Sequence, residues 1–181
     1  SIVRIISGKF KSRRLTAPKS IPARPTTDYA KESLFNILNH EVSWPETNML
    51  DLFAGIGGIS IEAISRGAAS VTSVDINYHS ISWLSKINKD LQITNLKALK
   101  ADAISWLGKN ETQFDLVFAD PPYDYEHYDL LISNVLEKAT MNEGLFILEH
   151  RRNISFEEHA NFVEDRKYGE VKFTFFRNKE L

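Results

Sequence analysis

Residues 120–123 read Asp120-Pro121-Pro122-Tyr123 and follow directly on the apolar run Phe114-Asp115-Leu116-Val117-Phe118-Ala119. Such a run suits a strand buried on both faces of a parallel sheet. In open α/β sheets, ligands bind just beyond the carboxyl ends of such strands. Proline fixes its own φ and keeps the preceding residue out of helix, so the segment is a stiff turn. Neither proline has an N–H and Asp120 adds an anionic acceptor, which makes an acceptor-only site suited to a donor such as an –NH2 group. Tyr123 offers a flat face for a planar base, a contact worth roughly 1–3 kcal/mol per base in comparable sites. The plainer reading is a strand-to-loop stop, since Pro-Pro is ordinary punctuation there. A second motif upstream favours the chemical one.

That motif runs Asp51-Leu52-Phe53-Ala54-Gly55-Ile56-Gly57-Gly58-Ile59-Ser60. It reads as a strand end, a glycine turn and a helix start, which lets a ligand approach the backbone closely. Gly55 and Gly57 fit the first two positions of the dinucleotide fingerprint, but Ser60 occupies the third, so NAD binding is weakly supported. The pattern fits better a nucleoside carrying an amino acid. Asp51 would meet the amino group, and the backbone N–H groups at the helix start would meet the carboxylate. Asp75 ends the next apolar run, 18 positions after Gly57, near the spacing at which an acid meets ribose hydroxyls. Asp102 follows a third run. Capping the next helix is the rival role for both acids, and Asp102 could cap and bind at once.

In this order, the glycine turn, the acid ending the second strand, Asp102 and Asp-Pro-Pro-Tyr resemble an S-adenosylmethionine-dependent amino-methyltransferase. The N-terminal run Arg4-Ile5-Ile6-Ser7-Gly8-Lys9-Phe10 and the block Arg24-Pro25-Thr26-Thr27-Asp28, followed by Glu32 and Leu34-Phe35-Asn36, are similar to the bacterial 16S rRNA (guanine-N2)-methyltransferase family. The similarity runs from about residue 3 to Tyr168-Gly169-Glu170-Val171. It implies methyl transfer from S-adenosylmethionine to the exocyclic N2 of a guanine in 16S rRNA, within a small ribosomal subunit particle, leaving S-adenosylhomocysteine. It also implies a seven-stranded Rossmann-like sheet. Cofactor contacts are expected from Asp51, Phe53, Ala54, Gly55, Gly57, Asp75, Ile76, Asp102 and Ala103. Asp120, Pro121, Pro122 and Tyr123 are expected to carry the chemistry. The extruded guanine would stack on Tyr123, and its N2 would donate to Asp120 and to the Pro121 carbonyl.

Charge is distributed unevenly. The chain carries −2 in all, yet residues 1–27 hold seven cations (Arg4, Lys9, Lys11, Arg13, Arg14, Lys19, Arg24) and no acid, leaving −9 on the remainder. A basic arm on an acidic body is a footprint of nucleic-acid contact. The alternative is a solvated edge that discourages sheet pairing. RNA contacts are therefore expected from Arg4, Lys9, Lys11, Arg13, Arg14, Arg24, Thr26 and Thr27. Two short apolar runs flank Ser7-Gly8-Lys9, so residues 1–24 are expected to form a small β-hairpin arm and residues 25–181 the methyltransferase domain.

The absence of cysteine excludes disulfides, thiol catalysis and Cys-ligated zinc, and fits a reducing cytoplasm. His40, His79, His127, His150 and His159 show no metal-ligand spacing, so no metal is expected. No apolar stretch approaches the roughly 18 residues of a membrane helix, and no secretion signal is expected. Without a sustained heptad pattern, a monomer is expected.

The elements that must position these residues alternate. Strands are predicted at 49–53, 70–75, 96–101, 114–119 and 144–149, with helices from 59, 78, 103 and 127. A closing hairpin of Phe162–Lys167 and Glu170–Phe176 turns at Tyr168-Gly169. A further helix is predicted after Arg24-Pro25, capped by Thr27 or Asp28. Such alternation argues an α/β fold, a mostly parallel sheet with its last strand antiparallel. Three other functions share parts of the pattern: a DNA adenine-N6 methyltransferase, a protein glutamine-N5 methyltransferase, and a non-catalytic RNA-binding protein.

Overall fold

The computed structural model describes residues 1–22 and 25–179. The chain opens with β1 (Ile2–Arg4) and β2 (Arg14–Thr16), paired antiparallel with Ile2 opposite Thr16. Next comes α1 (Asp28–Glu41), whose first turn is capped by the Thr27 hydroxyl accepting from the Ala30 N–H at 3.2 Å. Pro at the start of Trp44–Glu46 winds that loop into one 3-10 turn. Four strand–helix units follow: β3 (Asn48–Leu52) and α2 (Gly58–Ser65), β4 (Ser70–Asp75) and α3 (Tyr78–Asp90), β5 (Leu96–Lys100) and α4 (Ala103–Lys109), and β6 (Phe114–Ala119) and α5 (Tyr128–Lys138). β7 (Thr140–Arg151), β8 (Phe162–Tyr168) and β9 (Val171–Arg177) complete the sheet.

The seven strands lie in the order β5-β4-β3-β6-β7-β9-β8. β5, β4, β3, β6 and β7 run parallel, and β9 enters antiparallel between β7 and β8. The chain first builds outward from β3 to β5, then returns to set β6 against the other side of β3. That reversal makes the β3/β6 junction the topological switch point, where α/β sheets leave a crevice. Residues of α1, α2 and α3 bury one face of the sheet, and residues of α4 and α5 bury the other. The core is therefore two apolar layers with the sheet between them.

The predicted elements stand to within a residue or two, except that β7 is twelve residues long and starts at Thr140 rather than 144. The segment Met141-Asn142-Glu143-Gly144 has the composition of a turn. Phe114 pairs with Thr140 and Leu116 with Leu145, so the extra residues form an irregular entry to the strand, with Glu143 at φ 65.

Helix α2 shows why the N-terminal segment lies where it does. Ile59 to Ser65 are all buried, which a surface helix would not tolerate. The sheet covers one side and residues 3–10 cover another: Val3, Ile5 and Phe10 join the same apolar cluster as Ile59, Ile61 and Ile64. Glu62 fixes the arrangement. Its two carboxylate oxygens accept the Ile6 N–H at 2.9 Å and the Ser7 N–H at 3.1 Å, and Arg66 Nε donates to it at 2.8 Å. Gly8, at φ 90, passes so close to α2 that a Cβ there would sit 1.9 Å from the Ser65 carbonyl oxygen. Among the described residues no helix is long and apolar enough to cross a membrane, and no three His, Cys, Asp or Glu side chains group as metal ligands.

Candidate functional site

β3 ends at Leu52, and Phe53 then adopts φ 60. That left-handed conformation costs a non-glycine residue of order 1 kcal/mol and is tolerated where surrounding structure enforces it. Here the Phe53 ring meets Tyr125 edge to face, with centroids 5.5 Å apart, so the glycine turn after β3 is packed against the loop after β6. The Gly57 N–H closes the turn on the Ala54 carbonyl at 2.8 Å. Ala54 and Gly55 border the cleft. Gly57 does not: it lies buried behind them at φ 77, where a Cβ would approach Leu84 Cδ2 to 2.3 Å. Its glycine is needed for helix packing and for the turn.

Asp75 joins two loops. Its Oδ2 accepts the Gly55 N–H at 2.9 Å and its Oδ1 accepts the Asn77 N–H at 2.8 Å. Asn77, not Asp75, caps α3. Ile76 beside it is 65% exposed on the cleft wall, an apolar side chain placed for a flat ligand to cover. Asp102 borders the same cleft and caps α4, accepting the Ser105 N–H at 3.0 Å, with buried Ala103 next to it.

Asp51 is only 2% exposed and borders the cleft from within β3. Burial pushes its carboxyl up to about 7, with Asp75 and Glu149 adding to the rise and the Ser60 hydroxyl opposing it. Ser60 Oγ donates to Asp51 at 2.5 Å and shares a 2.7 Å hydrogen bond with Ser73 Oγ. The sequence shows Ser60 only as a departure from a glycine fingerprint. In the structure its hydroxyl supports the buried acid, a role that Ser73 shares and that sequence reasoning missed.

The Asp-Pro-Pro-Tyr turn leaves the end of β6 still tied to β3, with the Asp120 N–H donating to the Leu52 carbonyl at 3.3 Å. Asp120 is half-buried and Pro121 buried. The Pro122 carbonyl accepts from the Tyr125 N–H at 3.0 Å. The Tyr123 carbonyl accepts from Arg151 Nη1, whose guanidinium also lies 5.5 Å from the Tyr123 ring centroid. Two carbonyls of the turn thus hold it in shape, and Arg151 already occupies one aspect of the ring expected to receive a base. Arg151 carries no sequence signal beyond its place after the last apolar run.

The opposite wall comes from residues far apart in the chain. Thr26, Thr27 and Tyr29 precede or open α1, Glu149 ends the apolar part of β7, and Tyr168 ends β8; all border one cavity of about 1120 Å³ with Asp51, Asp75, Asp102 and Asp120. Thr26 Oγ1 donates to Glu149 Oε1 at 2.6 Å. Tyr29 and Tyr168 meet edge to face at 5.8 Å. Glu149, Tyr29 and Tyr168 were missed because an acid within an apolar strand and isolated tyrosines give no motif.

Of the described basic residues of the N-terminal segment, none lines this cleft itself, but Arg4 stands at its rim beside the lining residues Val3 and Asp28. Arg4 pairs with Asp28 at 3.1 Å. Lys9 and Arg13 flank the Phe10 ring at 5.4 and 5.8 Å. Lys11 and Arg14 are exposed. The Lys9 N–H donates to the Ser65 carbonyl at 2.7 Å, at the last turn of the eight-residue α2, whereas Gly58 at its first turn borders the cleft. At about 1.5 Å per residue, roughly one helix length separates that end from the cleft. Arg24 lies outside the described residues.

A family model described as conserved hypothetical protein 95 matches residues 3–177. The chain is 40% identical over 154 residues to ribosomal RNA small subunit methyltransferase D of Buchnera aphidicola subsp. Baizongia pistaciae, covering 84% of this chain and 78% of that one. Among solved structures, yhhF from Escherichia coli, described as a methyltransferase, superposes with a TM-score of 0.87 at 27% identity, each chain covered in full. The Thermus thermophilus 16S rRNA N2 G1207 methyltransferase RsmC, solved with AdoMet and guanosine, shares the fold at a TM-score of 0.78 and 19% identity, over 99% of this chain and 50% of that one.

Proposed function

The chain belongs to the conserved hypothetical protein 95 family of methyltransferases, and we propose that it moves the methyl group of S-adenosylmethionine to the exocyclic N2 of a guanine in small-subunit ribosomal RNA. The observation that carries this reading is the pairing, at the switch point, of an acid-lined nucleoside pocket at β3–β5 with the acceptor-only turn at the end of β6.

The cofactor fits the residues that line the first half of the cleft. The Asp51 carboxylate would meet its ammonium group, the backbone at the start of α2, where Gly58 borders the cleft, its carboxylate, Asp75 its ribose, and Ile76 with Asp102 and Ala103 its adenine. When bound, the cofactor supplies an electrophilic methyl on sulfur. The guanine is extruded at a cost of a few kcal/mol, and its N2 donates to Asp120 and the Pro121 carbonyl. Those bonds fix the nitrogen and turn its lone pair along the methyl–sulfur axis. With the cofactor bound, the transfer would be an in-line displacement: the N–C bond forms as the C–S bond breaks, its electron pair leaves on sulfur, and the proton shed by the methylated amine passes to the Asp120 carboxylate and on to water. Positioning and the negative charge of Asp120 supply the acceleration.

Two outcomes follow for the cofactor half. Asp75→Ala removes a charged acceptor and is expected to weaken S-adenosylmethionine binding about 10- to 100-fold in calorimetry, with smaller effect on saturated turnover. For Asp51, the sign runs with its raised pKa. The carboxyl favours the folded chain most below its ordinary value of 3.8, and that contribution is lost as pH rises through about 7. A cationic ligand needs the ionised form, so below pH 7 binding must expel a proton. Cofactor affinity is expected to rise from pH 6 toward 7.5, falling again only as the ligand's own amine loses its proton near pH 7.7–8.0, roughly. Calorimetry in buffers of different ionisation enthalpy measures the released proton, and Asp51→Asn is expected to abolish it.

The overall reading is tested by tritiated methyl transfer, offering small ribosomal subunits, naked 16S rRNA and duplex DNA in parallel. Label recovered as N2-methylguanosine supports it. Label in DNA, or only in protein, overturns it. The basic N-terminal segment is read as a contact to RNA, on the strength of its seven cations in a stretch without an acid.

A further inference from the structure

Glu149 is a buried acid that the mechanism above does not use. It is 4% exposed, borders the cavity, and follows the wholly apolar stretch Leu145–Leu148 of β7. A charged side chain at such a place is costly unless it is hydrogen-bonded, and Thr26 Oγ1 supplies a 2.6 Å bond from the segment before α1.

Strand register sets this acid beside the reacting one. Ala119 of β6 pairs with Leu148 of β7 as the last pair of that ladder, so Asp120 and Glu149 are the next residues on two neighbouring strands, about 4.8 Å apart in the sheet. Phe118, opposite Ile147, and Asp51, opposite Phe118, share the face on which Glu149 falls by alternation. The field between Glu149 and Asp51 is felt in the raised Asp51 carboxyl.

Acceptors on two adjacent strands match one base edge and oppose another. On the Watson–Crick edge of guanine, N1–H and N2–H2 form a run of donors, with the O6 acceptor beyond them. Adenine presents one amine donor and, at N1, a lone pair. A carboxylate accepts only, and its roughly four lone-pair sites allow it to take a base donor besides the Thr26 hydroxyl. We infer that Glu149 selects the base: it accepts the N1–H of the extruded guanine while Asp120 accepts from N2. An adenine would set its N1 lone pair against the Glu149 carboxylate, and rejection of that kind is what makes hydrogen-bonding sites discriminate strongly. This inference rests on the guanine-N2 reading and deepens it.

The test uses a base that keeps the reacting amine and inverts its neighbour. The wild-type enzyme first labels small subunits carrying unmodified 16S rRNA, and the modified guanine is mapped. That position is then replaced by 2-aminopurine, which has the same exocyclic amine but an acceptor at N1. Wild type is expected to prefer guanine by about 100-fold or more in kcat/KM. Glu149→Gln, whose amide can turn its N–H toward N1, is expected to narrow that preference at least about tenfold, with cofactor affinity retained. Thr26→Val, which leaves the carboxylate but removes one of the bonds that orient it, is expected to narrow it by about threefold to tenfold. Equal use of both bases by wild type, or an unchanged preference in the variants, overturns the assignment. Failure of wild type to label N2 of any guanine instead overturns the function on which it rests, so the two failures are distinct.

Discussion

Replacing Asp120 with alanine is expected to lower the methyl-transfer rate about 100- to 1,000-fold, the usual loss when a preorganised group at developing charge is removed, while S-adenosylmethionine binds as before. The split follows from geometry. The Asp120 backbone is placed by its own N–H on the Leu52 carbonyl, and the rest of the turn by Tyr125 and Arg151, and none of these bonds uses the Asp120 carboxylate. The proposed cofactor contacts come from β3, β4, β5 and the loops after them, not from the Asp120 side chain, although β3 and β6 are neighbours. What disappears is the anion beside a nitrogen that becomes positive as it attacks. Asp120→Asn keeps an acceptor oxygen but loses the charge, so it should fall between wild type and alanine. Single-turnover kinetics with calorimetry of cofactor binding reads both quantities. An alanine variant with wild-type turnover would remove Asp120 from the chemistry.

The proposed cofactor half of this cleft is legible in sequence because each of its parts is local. A strand end, a glycine turn and an acid after the next strand need only short stretches of chain, and Asp51, Gly55 and Asp75 can be found from their spacing alone. The Asp-Pro-Pro-Tyr turn is visible for the same reason, since two prolines permit little besides an extended turn. The wall proposed to receive the base is different. Thr26, Glu149 and Tyr168 are brought together only by the insertion of β9 between β7 and β8 and by the packing of α1 over the sheet. No local pattern encodes that. Glu149 reads as one acid near the end of a buried strand until its register beside Asp120 is known.

The N-terminal segment shows the converse. Its net charge is plain from composition, but the placement of each charge is not. Seven cations suggest an arm reaching to the substrate; Arg4, paired with Asp28, stands at the cleft rim, while the loop bearing Lys9 and Lys11 is docked on the end of α2 remote from the cleft. Charge repulsion argues that these groups seek a polyanion. It does not say which side of the protein the polyanion crosses.

Glu62→Ala is expected to destabilise the chain by about 3–5 kcal/mol, the range found when one member of a buried charged network is removed, and to lower Tm by about 6–20 °C for a chain of this size. The Glu62 side chain is fully buried, and its neighbours Lys31 and Arg66 are nearly so, at 3.8 and 2.8 Å. Removing the carboxylate leaves both cations without their shared counter-charge and leaves the Ile6 and Ser7 N–H groups without acceptors. Burial already holds the Lys31 ammonium below its ordinary pKa against the pull of Glu62, so the variant should make that lysine easier still to deprotonate. The damage will be felt first in the N-terminal segment, whose docking on α2 depends on these bonds. Hydrogen exchange is expected to show residues 2–10 opening well before β3 and β6. Ile2 and Val3 form part of the cleft wall, so at temperatures where the core still holds, the variant should lose RNA affinity while retaining cofactor affinity. Uniform exchange across the chain, or wild-type stability, would mean that the segment is held by its apolar contacts and that Glu62 is dispensable.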